Sequence, residues 1–274
     1  MEQTAADLVI YEAFDGARIM SRLAALVVSA TVLLAAPASG EQVRVMTAGG
    51  MAAAHLALAP QFERASGHTV VTDATSTGIG RDSIASRVRR GEPVDVLILA
   101  RDALDELIRE GRVVAASRVD LARSSIGMAV RKGAPKPDIS SVDALKRALL
   151  QAKSIAYSAQ VSGVYLSTEL FPRLGIVDDV MKKSKRVDVG RVGTVIARGE
   201  AEIGFQQISE LLEVPGIDYV GPLPAEVQRV TVFSAGVAAG ARNPDAARAL
   251  IEFLTSPRGI DTMVKSGLDP ISRP

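Results

Sequence analysis

The chain has 274 residues, of which 47% are hydrophobic and 23% are charged, so it can bury a core and is not a disordered protein. Its 32 basic and 31 acidic residues give a net charge of +1, and no basic stripe with interleaved aromatic residues occurs, so nucleic acid is not expected as a partner. With no cysteine and only two histidines, we expect no disulfide, no thiolate chemistry, no metal site and no cofactor.

The first predicted element is an apolar run at residues 23–36, which follows Arg22 and precedes small residues. Its length of about 14 residues falls short of the roughly 20 that a bilayer-spanning helix needs, and the small residues fit a cleavage site. We predict a cleaved signal peptide over residues 20–40 and a periplasmic location. Residues 1–19 are acidic where a signal peptide should be basic, so we interpret them as an extension before the true start at Met20.

Strands and helices alternate through the following residues. A strand over 41–48 precedes a helix over 51–66, and a strand over 68–74 precedes a helix that ends near Arg90. The apolar run at 94–100 is typical of a parallel strand that is buried on both faces. Alternation at this spacing predicts an open parallel sheet flanked by helices.

A second α/β block follows an extended run at 125–130. Its predicted elements are helices over 141–151, 164–174 and 193–198 and strands over 154–157, 186–189 and 202–206. The last predicted elements are a strand over 230–237 and helices over 246–254 and 257–265. We expect two lobes with a ligand cleft between them: lobe I from 41–122 and 230–274, and lobe II from 123–229.

Small and hydroxyl-bearing residues stand at three predicted strand-to-helix turns. In an open α/β sheet such turns lie at the carboxyl ends of the strands, where ligands bind. The free N–H groups of a helix start attract anions, and small residues let an anion approach the backbone. Ordinary helix capping explains each turn alone, so only the repetition favours a binding site. The predicted ligand-binding residues of these turns are Gly49, Gly50, Ser76, Thr77, Gly78, Ser158, Ser162 and Gly163.

Four further side chains are candidates near these turns. Arg81 follows the second turn, where its guanidinium could hold a carboxylate through two hydrogen bonds, and Arg101 follows the strand at 94–100. Tyr165 could donate its hydroxyl to a ligand, and His55 lies in the first helix. Each has a structural alternative, namely a solvated arginine, a core tyrosine or a structural histidine.

Resemblance to a known family rests on six segments, at 43–50 (VRVMTAGG), 62–67 (FERASG), 76–78 (STG), 89–96 (RRGEPVDV), 163–166 (GVYL) and 249–259 (ALIEFLTSPRG). With these segments the sequence resembles the type II periplasmic solute-binding proteins of ABC importers, and most of all their molybdate-binding branch. The resemblance implies a two-lobed α/β fold, in which each lobe is a mostly parallel sheet flanked by helices and the ligand cleft lies between the lobes.

The same resemblance implies a set of oxyanion contacts. They fall on Gly50, Thr77, the turn at Ser162 and Gly163, and the segment that contains Gln206. Molybdate binders usually present a serine where Gly50 stands and a tyrosine near Gln206, and this chain has neither hydroxyl. The expected ligand is therefore a small anion, either an oxyanion or an organic polycarboxylate.

Two functions remain open. The first is a receptor, most simply a monomer, that closes its lobes on a small anion and presents it to an ABC permease in the inner membrane. The second follows from the run at 204–212 (GFQQISELL), which resembles a periplasmic aconitate isomerase branch. That reaction needs a general base and positive groups for three carboxylates, with His55 and Arg81 as candidate catalytic residues. No residue is identifiable as the base, so the receptor ranks first.

Overall fold

The computed structural model describes residues 40–75 and 80–271. Outside them lie the predicted start extension at 1–19, the predicted signal peptide at 20–40 apart from Gly40, and the turn residues Ser76, Thr77 and Gly78. The described residues form one compact unit. None of their helices is both long enough and apolar enough to cross a membrane.

The strands of the described residues form two sheets. In chain order they are β1 (Gln42–Ala48), β2 (Thr69–Thr75), β3 (Val96–Ala100), β4 (Val119–Ser124), β5 (Ile126–Arg131), β6 (Ile155–Ser158), β7 (Ser184–Val187), β8 (Ile203–Gln207), β9 (Ile217–Pro222), β10 (Thr231–Val237) and β11 (Asp269–Pro270). The sheet of lobe I has the order β11-β4-β10-β3-β1-β2, and the sheet of lobe II has the order β7-β6-β8-β5-β9.

Helices flank both sheets. In chain order they are α1 (Gly49–Ser66), α2 (Ile84–Arg89), α3 (Arg101–Arg109), α4 (Val142–Gln151), α5 (Val161–Tyr165), α6 (Phe171–Leu174), α7 (Val177–Met181), α8 (Val192–Ala197), α9 (Ile208–Leu211), α10 (Pro244–Leu254) and α11 (Pro257–Lys265). A π-helical turn at Leu166–Leu170 joins α5 to α6. The predicted helix over 164–174 therefore begins three residues earlier, at Val161, which places Ser162 and Gly163 in its first turn.

The two-lobed α/β fold is confirmed, but its sheets are mixed rather than mostly parallel. β1, β2 and β3 are parallel to one another, as are β6, β7 and β8. β10 is antiparallel to β3 and β4, and β5 is antiparallel to β8 and β9. β5 and β10 are the strands that the chain enters directly from the other lobe, so no crossover helix constrains them to run parallel to their neighbours.

The chain passes between the lobes twice. β4 continues to Ser124 in the first sheet and β5 begins at Ile126 in the second, so the first passage lies at Ser125, beyond the expected limit at residue 122. The return passage lies between β9 and β10. Each lobe has its own apolar core, with Met51, Leu97 and Leu250 in lobe I and Leu145, Phe171 and Phe205 in lobe II. Two cores joined by two short passages are the architecture that places a cleft between lobes.

A buried carboxylate joins the sheet of lobe I to one of its flanking helices. Asp95, only 2% exposed, accepts hydrogen bonds from the backbone N–H of Arg44 at 2.8 Å and of Arg242 at 2.7 Å. These bonds join β1 to the start of α10. Because a buried carboxylate must be satisfied by donors, these backbone contacts stabilise the arrangement of the sheet and its helix.

Candidate functional site

A cavity of about 680 Å³ lies between the lobes, which is large enough for a small organic ligand. Both lobes contribute to its wall. Lobe I supplies Ala48, Gly49, Gly50, Ala52, Ala74, Thr75, Gly80, Arg81, Asp82, Ser83 and Phe233, and lobe II supplies Gln160, Val161, Ser162, Asp188, Val189, Gly190, Arg191, Gln207 and Glu210.

The start of α1 forms one wall of this cavity, where Gly49 and Gly50 lie as expected. The position of Gly50 has no room for a side chain, because a Cβ there would lie 2.5 Å from the ring of Phe233. A serine here, which the resemblance to molybdate binders would imply, would require the ring of Phe233 to move. The carbonyl of Gly50 accepts a hydrogen bond of 2.8 Å from the hydroxyl of Ser209, which joins the two lobes.

Arg81 is exposed on the lobe I side of the cavity. The guanidinium of Arg90 donates a hydrogen bond to the carbonyl of Arg81, which holds the backbone at this point. Within the described residues, the guanidinium of Arg81 forms no ion pair. It is therefore available to an anion.

The start of α5 forms part of the opposite wall. Ser162 lines the cavity, and its hydroxyl lies 3.1 Å from that of Ser158. Ser158 and Gly163 lie behind this surface and do not line the cavity. A Cβ on Gly163 would collide with the carbonyl of Ser158, so glycine is needed where the helix starts against its own strand. Ser158 and Gly163 therefore lie behind Ser162 in this structure, and their contact with a ligand stays a prediction.

Glu210 is the feature of the site that sequence reasoning missed. It lies in the single turn α9, directly after β8, and lines the cavity although only 7% of it is exposed. The side-chain amide of Gln206 donates a hydrogen bond of 2.9 Å to Oε1 of Glu210. Burial raises the pKa of Glu210 to about 7, and this effect outweighs the lowering by the charge of Arg191 and by the Gln206 hydrogen bond.

Gln206 supports Glu210 rather than lining the cavity. Its amide oxygen accepts a hydrogen bond of 2.8 Å from the backbone N–H of Val192, so its NH₂ group is directed at Glu210. The neighbouring Gln207 lines the cavity instead, and its amide lies 3.0 Å from the hydroxyl of Thr231. Gln207 rather than Gln206 therefore faces the cavity, since alternate residues of a strand face opposite sides. A ligand contact of Gln206 stays a prediction.

Arg101 and Tyr165 lie away from the described cavity wall, contrary to expectation. Arg101 forms a salt bridge with Asp120, which also accepts a hydrogen bond of 2.6 Å from the hydroxyl of Ser234. The hydroxyl of Tyr165 donates a hydrogen bond of 2.8 Å to the carbonyl of Val227, and its ring belongs to the core of lobe II. The polar groups of both side chains therefore bond to other residues of the protein.

His55 is fully buried in α1 and also lies off the cavity wall. Its Nε2 lies 2.9 Å from the hydroxyl of Thr72, whereas its Nδ1 has no hydrogen-bond partner among the described residues. Burial lowers the pKa of His55 to about 4, so the ring is neutral at physiological pH. As a candidate general base it is less well placed than Glu210.

Metal ligands are not clustered in the described part of the chain, where no group of three or more histidine, aspartate or glutamate side chains could hold an ion. The charged side chains of the described cavity wall are two arginines, two exposed aspartates and one buried glutamate, and hydroxyl and backbone groups line the rest. This set suits an anion that carries several carboxylates.

The chain belongs to the bacterial extracellular solute-binding proteins, because the model of that family matches residues 43–269. The two-lobed fold with a ligand cleft agrees with this family.

Two characterised relatives differ in function. An aconitate isomerase from a Pseudomonas species is 44% identical over 251 residues, which is 91% of this chain and 95% of the relative. A molybdate-binding protein from Azotobacter vinelandii is 28% identical over 250 residues, which is 86% of this chain and 92% of the relative. A solved structure of the periplasmic molybdate-binding protein of Azotobacter vinelandii covers 82% of this chain and 98% of its own, with a TM-score of 0.68 and 21% identity.

Proposed function

We propose that this protein interconverts cis- and trans-aconitate in the cleft between its lobes, with Glu210 as the group that accepts and returns the proton. The observation that carries the proposal is the position of Glu210, a buried acid with a pKa of about 7 on the wall of the cavity between the lobes. The 44% identity to an aconitate isomerase over 91% of the chain supports it independently.

The chemistry requires one base and positive charge, and no redox partner. Glu210 takes a proton from the methylene carbon of the substrate, and the remaining electron pair is shared over the three-carbon allyl unit. A proton returns at the other end of that unit, the double bond forms at the former methylene carbon, and Glu210 is a carboxylate again. The guanidinium groups of Arg81 and Arg191 stabilise the negative charge of the intermediate.

Burial gives Glu210 the proton affinity that this step needs. A free glutamate has a pKa near 4.5 and holds almost no proton at neutral pH, so it would be a weak base. With a pKa of about 7, Glu210 is present in both forms near neutral pH, which is the condition under which general acid–base catalysis is most effective. The hydrogen bond from Gln206 holds the carboxyl group in one orientation.

A receptor for an ABC importer is the second candidate, and the family match favours it. In that function the lobes close on a small anion and present it to a permease in the inner membrane, with the protein acting as a monomer. Either function is proposed for the periplasm, after removal of the signal peptide at residues 20–40. Phe233 argues against a tetrahedral oxyanion as the ligand, because its ring occupies the space in which a serine at residue 50 would supply a hydroxyl donor.

Proton NMR of trans-aconitate incubated with the purified protein tests the proposal. We expect the signals of both isomers to reach a constant ratio with the wild type. The variant Glu210→Gln should be slower by a factor of about 10²–10⁴, the contribution of a general base. The matched control Glu213→Gln removes an exposed acid just after α9 and should keep wild-type turnover.

Two results would overturn the proposal: no turnover by the wild type, or equal turnover by Glu210→Gln. Calorimetry with molybdate and sulfate on the same preparation distinguishes the receptor function from the isomerase. Tight one-to-one binding of either ion without turnover of aconitate would favour the receptor.

A further inference from the structure

Arg191 is an arginine on the lobe II wall of the cavity that sequence reasoning did not single out. It lies at the end of the loop 188–191 and directly precedes α8. Gly190 turns the chain here with a φ of 87°, a conformation that favours glycine. The neighbouring Asp188 forms its ion pair with Arg186, at 2.8 Å. In the part of the chain that the structure describes, Arg191 forms no ion pair.

Arg81 on the lobe I wall likewise forms no ion pair among the described residues. The charged side chains of the described cavity wall are Arg81 and Asp82 from lobe I and Asp188, Arg191 and Glu210 from lobe II. Asp188 forms an exposed ion pair with Arg186, Glu210 accepts a hydrogen bond from the amide of Gln206, and Asp82 is exposed to solvent. Each lobe therefore presents one guanidinium without an ionic partner among the described residues. A guanidinium binds a carboxylate through two parallel hydrogen bonds, which makes both side chains carboxylate sites.

We propose that Arg81 and Arg191 form a two-sided clamp, in which each guanidinium binds a different carboxylate of one ligand and the lobes close across it. The clamp selects compounds with at least two carboxylates, and the selected class is the di- and tricarboxylates. Its link to catalysis rests on the proposed function, whereas its selectivity for such ligands does not.

Arg191 also positions the ligand against the base. Arg191 and Glu210 both line the lobe II wall of the cavity, and the positive charge of Arg191 lowers the pKa of that carboxyl group. A carboxylate bound by Arg191 therefore places its neighbouring methylene carbon on the Glu210 side of the cavity. Arg81 on the opposite wall holds the far end of the ligand, so that the allyl unit lies between the two guanidinium groups.

Calorimetry with tricarballylate tests the clamp without turnover, because this saturated tricarboxylate has no double bond to move. We expect tricarballylate to bind more tightly than glutarate, and glutarate more tightly than butyrate. Arg81→Gln and Arg191→Gln should each weaken tricarballylate about 10- to 100-fold, the effect of losing a hydrogen-bonded charged partner. The double variant should lose the product of the two factors, because the sites hold different carboxylates.

Arg198→Gln is the matched control for Arg191. Arg198 follows the same helix α8, is 69% exposed and does not line the cavity. Its replacement removes the same charge and should leave binding unchanged. Arg191→Lys keeps the charge without the planar fork, and it should lie between the wild type and Arg191→Gln. Circular dichroism of each variant verifies that it is folded, and Arg81→Gln and Arg191→Lys test the clamp if Arg191→Gln does not fold.

The pH profile gives a readout that a structural role of Arg191 would not move. Loss of its positive charge removes one influence that lowers the pKa of Glu210, so the acid limb of kcat/KM should shift to higher pH in Arg191→Gln. It should stay in place in Arg198→Gln and in Arg191→Lys.

The clamp is overturned if butyrate binds as well as tricarballylate, if Arg191→Gln binds tricarballylate like the wild type, or if the double variant loses no more than one single variant. Failure of the proposed function is distinguishable. If aconitate is not turned over but the two arginines still control tricarballylate binding, the clamp stands and the isomerase does not. If Glu210→Gln abolishes turnover while Arg191→Gln changes nothing, the isomerase stands and the clamp does not.

Discussion

Gly49 of lobe I and Glu210 of lobe II are in contact: a Cβ at residue 49 would lie 2.5 Å from Oε1 of Glu210. The start of α1 thus covers the acid that lies on the opposite lobe. This contact explains how a carboxyl group on the wall of a cavity can be 7% exposed and carry a raised pKa.

A methyl group at residue 49 should therefore displace the carboxyl group. We predict that Gly49→Ala lowers kcat about 10- to 100-fold, the cost of a misplacement of around 1 Å at a reacting group. Gly240→Ala is the matched control, because a Cβ at Gly240 meets no atom within 4 Å. Steady-state kinetics of both variants test this, and wild-type kcat in Gly49→Ala would contradict the contact.

Glu210 should make the protein less stable as the pH rises. Its pKa is about 7 in the folded state against an ordinary value of 4.5, so between these values the folded protein holds a proton that the unfolded chain releases. The stabilisation is complete below pH 4.5 and is lost by about pH 7, and a shift of this size corresponds to about 3 kcal/mol.

Urea unfolding of the wild type and of Glu210→Gln measures this loss. The difference in free energy of unfolding between the two proteins should change by about 2–3 kcal/mol between pH 5 and pH 8, to the disadvantage of the wild type. All other titrating groups contribute equally to both proteins, so their contributions cancel in the difference in free energy of unfolding. A constant difference across this range would show that Glu210 has an ordinary pKa.

His55 should have the opposite effect at lower pH. Its pKa falls from 6.5 to about 4 on folding, so the unfolded chain binds a proton that the folded protein refuses. Stability should decrease by about 3 kcal/mol as the pH falls from 6.5 to 4. In His55→Gln this dependence should disappear, while kcat stays within a few-fold of the wild type because His55 does not line the described cavity. If His55→Gln lost as much kcat as Glu210→Gln, His55 would be a catalytic residue and the prediction would be wrong.

Phe233 should make a serine at residue 50 destabilising. Because a Cβ on Gly50 would lie 2.5 Å from the Phe233 ring, we predict that Gly50→Ser lowers the free energy of unfolding by about 1–3 kcal/mol, the usual cost of overpacking. Adding Phe233→Leu should recover part of this loss, because the shorter side chain leaves space. Thermal unfolding of the single and double variants tests the prediction, and an unchanged Tm in Gly50→Ser would contradict it.

The alternation of strands and helices was sufficient to predict most of the fold. β3, with the sequence VLILA, is fully buried, and α1 ends at Ser66, where Gly67 completes the cap with a φ of 75° and a bond to the Glu63 carbonyl. β4 was missed because it alternates poorly, with charged Asp120 and Arg123 among its apolar residues. The antiparallel direction of β5 and β10 could not be predicted either, since it depends on passage between lobes rather than on local pattern.

The site was harder to predict than the fold. Gly49, Gly50, Arg81 and Ser162 lie on the cavity wall, because their position at the carboxyl ends of strands follows from the order of elements, and their contact with a ligand stays a prediction. Glu210 was missed because α9 is a single turn, too short to show which face is buried. The sequence signal that could have identified Glu210 is its position as the one acid among the mostly apolar residues 208–212. Arg191 carries no local signal beyond the preceding glycine.

Carbon-13 NMR of the Glu210 side chain tests the central claim most directly. The δ-carbon of glutamate changes its chemical shift on ionisation, and comparison of labelled wild-type protein with Glu210→Gln assigns the Glu210 signal. We predict a midpoint near pH 7 in the unliganded protein, matching the acid limb of kcat/KM for trans-aconitate. A midpoint near 4.5 would show an ordinary solvated acid and would contradict Glu210 as the proton carrier.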